Sequence, residues 1–279
     1  MKNQLKKINF NHSFIFFLFC NIFSLTILKF ENLVFSPLFC LLLILSIGVS
    51  HGSLDHIKGK KLLKIFEIKN IYIFYLLYIF IASTVIVLWT IIPSVSLTIF
   101  LIVASFHFGK EDTQFLIAEN SYYNQLLFFL KGLLVILAPM FFHFEETISI
   151  FKLLLIDNES FYRTLDFIEM NNLILFGIIL STLSSILLFT KEFELKKFTI
   201  FLDYFSILII NYYLSPLMAF TIYFCFLHST RHGITLMHEL DENNLKNGLK
   251  IFIKKALPLT ILTATFCLLG LYLLNNSYN

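Results

Sequence analysis

The chain has 279 residues, of which 58% are hydrophobic and 14% charged, with a mean hydropathy of +0.81 and a formal net charge of +3. Soluble domains carry roughly 25% charged residues, so this composition excludes an ordinary soluble enzyme and predicts an all-α, polytopic transmembrane helix bundle. No basic face interleaved with exposed aromatics supports nucleic-acid binding, and Cys20, Cys40, Cys225 and Cys267 lie singly in apolar runs with no C-x-x-C, as small buried hydrophobes do.

At the N-terminus, Lys2, Lys6 and Lys7 precede an apolar run at 13–28. The pattern is like that of a signal peptide, but no small-x-small cleavage site follows, so a retained first helix is expected. Runs of spanning length follow at 33–52, 71–92, 94–109, 122–142, 171–190, 198–214, 215–235 and 256–275. These make nine expected spans, with eight or ten also compatible. The stretch at 148–156 is too short to span and is expected at an interface, and 157–172 reads as an external loop. Without repeats, linkers or low-complexity segments, residues 1–279 read as one integral-membrane helical domain.

Placing the N-terminus in the cytoplasm puts nearly all the loop lysines and Arg231 on the cytoplasmic side. Only Lys29, Lys152 and Arg163 fall outside, and Lys131 lies within a span. The expected location is therefore the cell inner (cytoplasmic) membrane, crossed many times.

Three spans end in polar residues that a membrane helix would not carry without cause. The second ends Ser50-His51-Gly52-Ser53-Leu54-Asp55-His56, and the fourth ends Ser105-Phe106-His107-Phe108-Gly109-Lys110-Glu111-Asp112. The eighth ends with His228 and His232, spaced to share one face of a helix. In the nine-span topology all three lie at the cytoplasmic ends of even-numbered helices. His51, His107, His228 and His232 together offer four neutral imidazoles, a donor type that suits Zn, Cu, Fe and Ni. Histidines at helix ends also serve as interfacial or capping residues, and for the His228/His232 pair taken alone the two readings balance. Asp55, four residues after His51, and Asp112, beyond His107, are placed to orient ligating imidazoles. Glu111 reads as a loop acid balancing Lys110. Arg231 could pair with Asp55 or Asp112, and His56 is an outer partner at most. His12 and His143 are expected at interfaces, and His238 in a solvated loop.

His51-Gly52-x-x-Asp55-His56, His107-Phe108-Gly109-x-Glu111-Asp112 and His228-Ser229-x-Arg231-His232, in this order, resemble the Brp/Blh family of membrane β-carotene 15,15′-dioxygenases. The resemblance implies a non-haem Fe(II) ligated by His51, His107, His228 and His232. It further implies cleavage of the central double bond of β-carotene with O₂ into two molecules of all-trans-retinal, which a microbial rhodopsin would use. Phe106, Phe108, Tyr223, Phe224 and Phe226 lie closest in sequence to the boxes and are the expected substrate-binding aromatics. Lipid-facing and helix-packing roles account for most of the other aromatics. Rival readings are a membrane di-iron desaturase or hydroxylase, which would need more histidines, and a metal-ion transporter, for which no internal repeat is visible. Lys131 prompts a third, a retinal binder with Asp203 as a loose counter-ion.

Overall fold

A computed structural model describes residues 2–29, 36–117, 121–154 and 158–277, and these residues contain helices and no strand. In chain order the helices are α1 (Lys2–Lys29), α2 (Pro37–Leu43), α3 (Asp55–Ile65), α4 (Tyr72–Ile91), α5 (Pro93–Glu111), α6 (Tyr122–Phe142) and α7 (Phe144–Leu154). There follow α8 (Glu159–Met170), α9 (Leu173–Thr190), α10 (Phe198–Tyr213), α11 (Pro216–Ile222), α12 (Thr230–Leu240) and α13 (Leu245–Ser277). A helix satisfies its own backbone polar groups, which hydrocarbon cannot do for it. Breaks fall where the sequence enforces them. Pro93 starts α5 after Ile92 leaves helical geometry, as the residue before a proline tends to do. Pro216 opens α11, and Pro37 opens α2 under a Ser36 cap whose hydroxyl accepts from the Leu38 N–H at 3.2 Å.

Seven stretches of the described residues are long and apolar enough to cross a membrane: Gln4–Ile27, Pro37–Ile65, Tyr72–Ile91, Pro93–Glu111, Tyr122–Phe142, Leu173–Thr190 and Leu245–Leu273. The other two expected spans are present in altered form. The run at 198–214 folds as α10, whose 16 residues are short for a hydrocarbon core of about 30 Å. The run at 215–235 is a composite of α11, a π-helical turn at Tyr223–Ser229 and α12. Residues 33–35 of the expected second span lie outside the described residues.

The segment expected as an external loop instead contains α8. Asn158 caps this helix by accepting from the Phe161 N–H at 3.0 Å, and Arg163 pairs with Glu159 one turn away. Leu165 supplies its buried contact. A polar composition hid this amphipathic pattern.

The described residues group into two compact units, drawn from Met1–Phe35 with Val85–Tyr223 and from Ser36–Thr84 with Phe224–Asn279. In the first, α1 packs along α10, while α6 packs against α5, α9 and α10. The Ser13 hydroxyl donates to Asp203 Oδ1 at 2.7 Å between buried side chains of α1 and α10. Helices α5 and α6 meet backbone to backbone. A β-carbon on Gly109 would run into the Phe128 carbonyl oxygen, and one on Gly132 into that of Ser105. Small residues allow such approach where helices associate without a hydrophobic driving force.

At the end of α9, the buried Lys197 donates from Nζ to the carbonyls of Leu188 and Lys191. A cation there satisfies carbonyls that the helix leaves unpaired. Nearby, the Lys6 ammonium lies 2.5 Å from Glu194 and holds its carboxyl below the usual range. A depressed carboxyl contributes stability above its unfolded value and loses it as pH falls through the folded one. Acidification into that range is expected to raise amide exchange around 191–197, and Glu194→Gln should remove this dependence. Both side chains are partly exposed, so the effect stays under about 1 kcal/mol.

In the second unit, α13 packs against α12 and against the 3₁₀ segment Val49–Leu54. Leu54, Leu236, Phe252 and Ala256 form its buried cluster. Gly248 lets α13 approach the Met237 carbonyl, and Gly59 lies beneath the Phe74 ring.

Candidate metal centre

His228 closes the π-helical turn Tyr223–Ser229, and His232 stands on the first turn of α12. Isolated π turns displace side chains from their α-helical positions and often occur at functional sites. A second π turn, Ile44–Gly48, leads into the 3₁₀ segment that carries His51. The two turns touch: the Phe224 ring lies so close to Gly48 that a β-carbon there would clash with it. His228 is fully buried, its ring stacked 5.8 Å from Phe224 at 16°. This contact fixes the plane of the imidazole.

His232 is buried as well, and its Nε2 accepts from Lys58 Nζ at 3.2 Å. Because an ammonium can only donate, that nitrogen presents a lone pair and the ring proton belongs on Nδ1. The His232 lone pair is thus already aimed at a cationic group.

The carboxylates have partners that spacing did not reveal. Asp112, at the end of α5 and buried, accepts from Tyr223 Oη at 2.6 Å. Asp55 Oδ2 accepts from Tyr78 Oη at 3.3 Å. Arg231 is among the largest fully buried side chains, and a guanidinium at that depth is held by interactions with the protein. Tyr223→Phe removes a charge-assisted bond from a buried carboxylate and is expected to cost about 1–3 kcal/mol, read as a lowered melting temperature of the purified protein.

His107 lies on α5 and is exposed, its ring 5.8 Å from that of Phe108. Phe108 packs edge-on against Tyr223 at 5.5 Å and also against Phe220. Phe106 lies under the Lys110 ammonium at 5.3 Å. Phe224 and Phe226 are half-buried. Of the five expected substrate aromatics, Phe108 and Tyr223 are thus buried packing residues, and Phe224 braces His228. His56 is half-buried, and His238 stands on α12 rather than in a loop.

Among the described residues, no three His, Cys, Asp or Glu side chains gather closely enough to hold a metal ion. The side chain of His51 lies outside the described residues. Of the four candidate ligands His228 and His232 are buried imidazoles, a donor type that suits Zn, Cu, Fe and Ni alike, and a metal on His232 Nε2 would have to displace the Lys58 ammonium.

The profile of the family "Beta-carotene 15,15'-dioxygenase" matches residues 42–279, a stretch that takes in all three histidine segments. The chain belongs to the β-carotene 15,15′-dioxygenase family. A similar relative is the "Beta-carotene 15,15'-dioxygenase" of an uncultured marine bacterium, 66A03, 27% identical over 232 residues, which are 82% of this chain and 78% of the relative. No solved structure matches. Membership makes this chain a carotenoid-cleaving enzyme and does not favour the desaturase or transporter readings. The family match leaves out α1, although α1 packs along α10. Sequence reasoning missed Lys58, one turn after Leu54, and Tyr78. The signal available for Tyr78 was its place in Phe74-Tyr75-x-x-Tyr78, an aromatic face at helical spacing.

Proposed function

We propose that this enzyme cleaves the central double bond of β-carotene with O₂, giving two molecules of all-trans-retinal. The cofactor in this reading is one non-haem Fe(II), for which His51, His107, His228 and His232 are the ligands. The reaction takes place in the inner membrane, at the cytoplasmic side of a bundle of about nine spans with its N-terminus in the cytoplasm. Asp55, His56, Asp112 and Arg231 are the outer partners of the ligands in this reading, and the retinal serves a microbial rhodopsin in the same membrane.

What carries this reading is the family match across residues 42–279, together with the burial of His228 and His232 within it. Bound Fe(II) supplies the activation of O₂. The residues of the chain hold and orient. Phe224 keeps the His228 ring in one plane, and the apolar burial of that ring excludes water from it. The Tyr223 hydroxyl holds Asp112 in one orientation. Regioselectivity then follows from where the polyene is placed, because positioning alone decides which bond reaches the reactive centre.

The test is expression in bacteria that accumulate β-carotene. Loss of orange colour, with retinal in the extract and iron close to one per purified chain, is the expected result. Retained colour without retinal would sink the reading, and iron close to two would point to the di-iron class.

A further inference from the structure

A groove of about 600 Å³ opens within the second unit, inside the roughly 300–1,000 Å³ range of small-molecule sites. Its floor comes from Gly52, within the 3₁₀ segment that carries His51, and from Asp55, which follows that segment. One wall is an aromatic face of α4, formed by Phe74, Tyr75 and Tyr78. Leu259 and Thr263 of α13 form the other. Phe74 is seated on Gly59 and tilts against Tyr78 at 5.6 Å, so this wall is braced from behind.

Three features select the occupant. The spanning window of α4 contains no buried residue, so the groove is reached from the lipid side, where a polyene dissolves. Among the described residues, no lysine or arginine lines it and its titratable side chains besides the tyrosines are Asp55 and His56, so the carboxylate of a fatty acid would find no fixed cation there. Tyr78 already donates to Asp55, so its hydroxyl is engaged within the wall and makes no demand for a polar ligand.

We propose that this groove receives one cyclic end of a C40 polyene, with Phe74, Tyr75 and Tyr78 packing against the ring and α13 closing the opposite side. The inference rests on the carotene-cleaving reading above and adds to it a specific seat for the substrate. It adds an aromatic face on α4 to the aromatics beside the histidine boxes as a surface that grips the substrate.

The experiment uses the full-length purified protein in detergent, loaded with iron and mixed with β-carotene under anaerobic conditions, so that binding is read without turnover. Leu259→Trp and Thr263→Trp fill the groove. Each is expected to lower bound carotenoid per chain by about 10-fold or more while iron per chain stays at the wild-type value. Should either fail to fold, Tyr75→Ala, at a position 42% exposed, removes part of the wall and is read in the same way. Carotenoid binding within twofold of wild type in the folded variants would overturn the proposal, as would displacement of the polyene by equimolar oleate. A wild-type chain that neither binds nor cleaves β-carotene would instead overturn the functional reading. Normal cleavage by wild type with unaffected binding in the variants would remove the groove alone.

Discussion

His228→Ala is expected to strip the protein of iron and to abolish retinal formation. The loss should exceed the roughly 10–100-fold that removing an outer partner of a metal ligand costs. His228 is fully buried, so part of the damage would be a cavity beside Phe224. His107 supplies the cleaner comparison because it is exposed on α5, where truncation changes stability by only about 0.5 kcal/mol. His107→Ala should therefore melt like wild type and still lose iron and activity. Full iron and full carotene cleavage in that variant would end the assignment of His107 as a ligand.

Gly132→Val is expected to be the most damaging substitution outside the histidine segments. A β-carbon at this position meets the Ser105 carbonyl oxygen, and one at Gly109 meets that of Phe128. A backbone carbonyl cannot swing away like the end of a flexible side chain, so α5 and α6 would have to separate. Over-packing of a well-packed core costs about 1–3 kcal/mol or more, and here both helices carry the clash. Loss of folded protein on expression, measured by size-exclusion profile, is the anticipated outcome, with Gly109→Val behaving alike. A monodisperse, active Gly132→Val protein would show that the crossing has slack.

The same crossing illustrates what the sequence could and could not disclose. Gly109 follows His107 by two residues, a place where a glycine serves either close backbone approach or the end of a helix. The helix continues through it to Glu111, and close approach is the reason for the glycine. The apolar runs were legible as helices because a 20-residue hydrophobic stretch has few alternatives in lipid. The π turns at Ile44–Gly48 and Tyr223–Ser229 were not legible, since no local propensity marks them and they arise from packing such as that of Phe224 on Gly48. The partners of Asp112 and Asp55 escaped for a related reason: each bond joins helices distant in sequence. The histidine boxes themselves were readable as soon as they were seen as polar interruptions of a membrane chain. The aromatic face of α4 resembled ordinary lipid-facing surface.

Lys197 carries a consequence for the turn that follows α9. Its side chain is buried and its ammonium is turned inward onto the carbonyls of Leu188 and Lys191. In the folded protein a lysine engaged in this way is not available to anionic headgroups. Lys191 donates to Asn124 Oδ1 and Lys196 lies 3.5 Å from Glu194, so all three lysines of that turn serve the fold, and neutralising Lys197 should weaken the end of α9.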